Sequence, residues 1–118
     1  MSEKDAIICR SLWEVDALVA MKLMGLKPSS RPDVIFTPPH YTTWPGLEPV
    51  IQWVIAQGFT YTLERQLDNS CWLGGVCRAT INTGPGRYRT GHGETESIAF
   101  CLAALASAGF WVKLELGD

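Results

Sequence analysis

The chain has 118 residues, 47% hydrophobic, 19% charged and 10% aromatic. That length accommodates one core, and the composition is too apolar for a disordered segment. Ten basic against twelve acidic residues give a net charge of -2, which excludes the broad positive field that holds a nucleic-acid backbone. No apolar run approaches the roughly 20 residues of a membrane helix, and the start Met1-Ser2-Glu3-Lys4-Asp5 lacks the pattern of a signal peptide. The expectation is a single cytoplasmic domain over residues 1–118.

In chain order, Ser11-Leu12-Trp13-Glu14 has the form of a capping box. Val15, Leu18, Val19, Lys22 and Leu23 follow near helical spacing, which predicts a helix over 12–24 closed by Gly25. From Leu26 to Thr43, Pro28, Pro32, Pro38 and Pro39 forbid regular helix and predict a long, ordered loop over 26–43 that carries Phe36 and Tyr41, with Trp44 just beyond. Thr43 is the expected N-cap of a second helix, with Pro45 and Pro49 near its start, an inward face of Val50, Val54 and Ile55, and a stop at Gly58.

Phe59, Tyr61 and Leu63 alternate with Thr60, Thr62 and Glu64, the period of a half-buried strand. Asp68-Asn69-Ser70 reads as a turn, and Trp72 to Ile81 as a second strand with a bulge or close backbone approach at Gly74-Gly75, making an antiparallel hairpin. The segment from Thr83 to Gly93 reads as a glycine-rich loop running into a third helix. That helix has a narrow apolar stripe of Ile98, Cys101, Leu102, Leu105 and Ala106 and ends at Gly109. Phe110, Val112, Leu114 and Leu116 then alternate with Trp111, Lys113 and Glu115 as a final strand. The expected class is α+β, a small antiparallel sheet sandwiched between α-helical layers.

The stretches from Asp16 to Gly25, Pro49 to Ile55 and Glu94 to Leu105 resemble the phage ABA-sandwich domain family, small phage and prophage accessory proteins. The resemblance covers about residues 12–108. It implies an alpha-beta-alpha layered fold and brings no catalytic residues to carry over. The proline-rich loop and the tail after Gly109 depart from the family's pattern.

Cys9, Cys71, Cys77 and Cys101 contain no Cys-x-x-Cys pair, and two histidines, His40 and His92, cannot build a three-histidine metal centre. No metal and no cofactor are expected, and Cys101 reads as a small buried hydrophobe. There is no Gly-x-Ser-x-Gly elbow, neither histidine has an evident carboxylate partner, and Glu94 and Glu96 suit a helix start. The expectation is a protein that is not an enzyme.

Two constellations are candidates for ligand binding. In the glycine-rich segment, Arg87, Tyr88, Arg89, His92 and Thr95, with Arg78 from the preceding strand, would hold an anion ahead of a helix N-terminus. The segment matches neither a dinucleotide fingerprint nor a phosphate loop, so a plain connection with solvated arginines stands beside that reading. His40, Tyr41 and Trp44, with Trp72, would stack on a base, and aromatic packing under a long loop is the other reading.

Together with the phage resemblance, these groups lead to the expectation of a homo-oligomeric accessory protein in the host bacterial cytoplasm. It would sequester a small anionic ligand, a nucleotide or cyclic nucleotide immune signal, as a sponge that defeats anti-phage defence. The alternatives are a protein-binding module that inhibits a host protein and a small nucleotide hydrolase. A membrane or a nucleic-acid polymer is not expected as partner.

Overall fold

The first helix begins where its sequence places it. In the computed structural model, which describes residues 6–26, 38–43, 45–65 and 77–115, a short strand β1 (Ile7–Cys9) leads into α1 (Leu12–Leu18). The Ser11 hydroxyl accepts the Glu14 N–H at 3.3 Å, while the Glu14 carboxylate takes the N–H of Arg10, one residue before the usual capping-box partner. The expected 12–24 helix then changes pitch: Val19–Leu23 is a π-helical turn, and Gly25, at φ +72°, ends it.

The second helix starts later than expected. Helix α2 (Glu48–Ala56) has Leu47 as its N-cap with no side-chain bond, and Pro49 falls in the first turn, where a missing N–H is tolerated. Thr43 instead closes a turn on His40, its hydroxyl donating to the His40 carbonyl at 3.0 Å. Val50 and Val54 are fully buried, but Ile55 is 52% exposed. One residue past Val54, it is rotated off the inward stripe by the helical period.

Strands β2 (Thr60–Arg65) and β3 (Cys77–Gly84) form the expected antiparallel hairpin, with Tyr61 opposite Ile81 and Leu63 opposite Ala79. The Asp68–Ser70 turn, the start of the second strand from Trp72 and the Gly74-Gly75 bulge lie outside the described residues. The glycine-rich segment corrects the sequence reading: it is a third strand, not a loop. Pro85-Gly86 makes a tight turn, with Gly86 at φ +70°, and the chain returns as β4 (Arg87–Gly93), antiparallel to β3. A Cβ on Gly91 would stand 2.3 Å from the Ala99 carbonyl oxygen and 2.5 Å from the Ala103 nitrogen. Gly91 is therefore where a helix lies directly on the strand.

That helix is α3 (Glu96–Ser107), capped by the Thr95 hydroxyl, which accepts the Ile98 N–H at 3.2 Å. Every residue from Ser97 to Ala106 is buried, so the expected narrow stripe is replaced by a helix enclosed all round, the centre of the core. Among the described residues α3 is the layer on the sheet; α1, the π turn and α2 pack against α3 and do not approach β3 or β4. The class is α+β, as expected, and α2 meets the three-stranded sheet at β2. The final strand is present as β5 (Val112–Leu114) and pairs in parallel with β1, Ile7 opposite Val112 and Cys9 opposite Leu114. Strand β1 was not foreseen, because three residues are too few to display a period of two.

Candidate functional site

Strand β4, helix α3 and strand β5 follow one another in the chain, the connection that sets two strands beside each other on one helix. Here the strands do not meet. β4 pairs only with β3, and β5 only with β1, so among the described residues the facing edges of β4 and β5 have no strand partner. Between them lies a groove of about 650 Å³ walled by Thr90 to Glu94 and Trp111 to Leu114. Its floor is Ile98, Leu102 and Ala106 of α3.

Charged side chains lie on the walls of the groove and just beside it. The Arg89 guanidinium lies 5.5 Å from the centre of the Trp111 ring, a cation–π contact that joins the two walls. Lys113 lies on the β5 wall, and Lys22 of the π turn stands 5.4 Å from the neighbouring Phe110 ring. Glu94, next to the Thr95 cap, marks the end where Ile98 meets Gly93.

The register divides the expected anion-binding residues between two faces of the sheet. Arg78 pairs with His92 on one side and Glu64 on the other, and Asn82 stands opposite Tyr88, all on the face turned away from α3. Arg78 forms a salt bridge with Glu64. Burial and then the nearby Arg78 charge hold His92 below the ordinary imidazole range. Arg89 stands opposite Ile81 on the α3 face and reaches Trp111. Arg87 is exposed beside the turn, Tyr88 is exposed on its strand, and Thr95 is occupied as the cap of α3.

The second expected constellation lies elsewhere. Tyr41 is buried in the core, and its carbonyl accepts the Cys101 thiol at 3.3 Å. Cys101 sits about 200° around the helix from Ala99 and from Ala103, the residues that meet Gly91. The buried helix α3 thus separates Tyr41 from the arginines of β4, and these groups do not converge on one ligand. His40 is exposed on the Tyr41 side, and Trp44 and Trp72 lie outside the described residues.

What holds His40 and Tyr41 in place is a residue not singled out in the sequence. Asp16 of α1 is 3% exposed; its Oδ1 accepts the Thr42 N–H at 2.9 Å, and its Oδ2 lies 3.9 Å from His40 Nδ1. Burial pushes its carboxyl above the ordinary range, against the lowering effect of the hydrogen bonds and of His40. The signal available was spacing: Asp16, Ala20 and Leu23 fall on the inward side of the helix. Gly46 completes the turn, since a Cβ there would collide with the His40 carbonyl oxygen at 1.9 Å. Trp111 and Lys113, read only as the outward side of the last strand, are the other residues missed. Their importance comes from facing β4, a long-range relation.

Among the described residues no three His, Cys, Asp or Glu side chains gather to hold a metal ion, and no helix is long and apolar enough to cross a membrane. The fold does have a solved counterpart. A crystal structure of a phage protein from Bacillus cereus ATCC 14579 matches at a TM-score of 0.63, with 18% sequence identity over 89% of this chain and 94% of that chain. The chain is similar in fold to a phage protein. No family model matches it, and neither does any curated protein.

Proposed function

We propose that this chain is a phage accessory protein of the ABA-sandwich kind that acts without catalysis, in the host cytoplasm, by holding a host protein in the groove between β4 and β5. The observation that carries this reading is the pair of strand edges facing each other across an apolar floor. Backbone donors and acceptors on a concave edge gain most from a polypeptide that can pair with them. The likeness to a phage protein and the resemblance of the helices to the ABA-sandwich family support the accessory role. Sequestration of a nucleotide, which draws on the phage resemblance, the glycine-arginine segment and the aromatic cluster, is the second reading; Gly91 and Gly93 packed under α3 and the buried Tyr41 favour it less than the groove favours a polypeptide.

The test is affinity capture of host proteins on the purified chain, compared with a Trp111→Ala, Lys113→Glu double variant of unchanged melting temperature. One host protein retained by the wild type and lost by the variant is the expected result. A thermal shift with nucleotides, without a retained host protein, would replace this reading by small-ligand sequestration.

A further inference from the structure

Resting on that reading, we infer that the groove takes its partner as an extended strand paired to the β4 edge, and that this strand presents a carboxylate to Arg89 and Lys113. Three observations converge. β4 has seven residues, a length of about 23 Å when extended, and it contains no proline that would interrupt an edge. The floor residues Ile98, Leu102 and Ala106 recur every four positions along α3. That spacing is about 6 Å on a helix, close to the roughly 6.7 Å between alternate side chains of a strand. A partner with apolar residues at every second position therefore seats one side chain on each floor residue.

The charge pattern gives this strand a direction. Arg89, fixed on the Trp111 ring, stands toward one end and Glu94 at the other, with Lys113 on the β5 wall two residues beyond Trp111. A carboxylate is attracted at the first and repelled at the second. A second copy paired in parallel at β4 would bring Arg87 and Arg89 against the partner's own arginines.

A display library of unstructured ten-residue peptides, panned on the full chain, tests the inference. Selected peptides should share alternating apolar positions with one Asp or Glu beyond them. The double variant Arg89→Gln, Lys113→Gln should weaken the acid-bearing peptide about tenfold, the scale of one charge-assisted hydrogen bond. The same peptide with its acid changed to an amide should bind wild type and variant equally, and bound peptide should slow amide exchange in β4 and β5.

Selected peptides without an acidic position, or an equal loss for the neutral peptide, would overturn the carboxylate assignment. Protection confined to the β2 edge would overturn strand pairing at β4. Capture of a host protein through Trp111 and Lys113, with no peptide selected, would overturn the strand form while leaving the proposed function standing. Failure of both peptide and host protein to bind would remove that function itself.

Discussion

Asp16 is a carboxylate only 3% exposed, and its chemistry predicts a pH dependence. Its folded-state pKa is raised above the ordinary value of 3.8, chiefly by burial. Below that value the carboxyl is protonated in both states, and its favourable contribution is fully present. As pH rises, the unfolded chain ionises first, so the contribution declines until the folded carboxyl ionises as well. Asp16→Asn keeps an oxygen to accept the Thr42 N–H and cannot ionise. The melting temperature of the wild type should therefore fall relative to the variant as pH rises from about 3.5 toward neutrality, and parallel profiles would refute the assignment. His92, with its lowered pKa, contributes in the opposite sense, stabilising above the ordinary value of 6.5 and losing that effect as pH falls; the difference between variant and wild type cancels it. At this scale the sequence was legible where a residue sat within a periodic stripe. Cys101 among Ile98, Leu102 and Leu105 was readable as buried, and burial drives its thiol pKa far upward. Tyr41 was not readable, because neighbouring prolines identify an irregular segment without saying which of its side chains turn inward.

Between residue and molecule, β4 is the element whose nature decided the functional reading. Glycine density made it look like a loop, since Gly91 and Gly93 present no side chain on the face where a period of two would be seen. The legible sign was Pro85-Gly86, a tight turn following directly on a strand. The glycines exist for α3. Gly91→Ala sets a methyl against two backbone atoms of the helix, neither of which can rotate away, and should destabilise the fold by about 2 to 3 kcal/mol. Gly93→Ala meets mainly the Ile98 side chain, which can shift, and should cost less. Urea unfolding measures both, and equal midpoints for Gly91→Ala and wild type would show that the helix does not lie against this strand. The helix cap at Ser11 was written in local sequence as the start of a capping box, whereas Thr95, read as an anion-binding residue, caps α3. The start of α2 was not: Thr43 had the right chemistry but bonded to His40 instead.

At the scale of the whole molecule, the groove is a product of topology. Ile7 pairs with Val112, joining distant parts of the chain, and the β1–β5 pair stops short of the three-stranded sheet on the floor that α3 provides. The α+β class was legible from the alternation of helical and strand periods, but no local pattern reports the distance between two edges that never pair. The proposed function therefore rests on the least local feature of the fold, and it is best tested there. A photoreactive phenylalanine analogue placed at Val112, on the groove wall, and separately at Thr62, on the face of the sheet turned away from α3, would be expressed in the host and irradiated. A host protein held in the groove gives a cross-link to one host protein from position 112 and none from position 62. Equal cross-linking from both positions, or cross-linking from 62 alone, would contradict it.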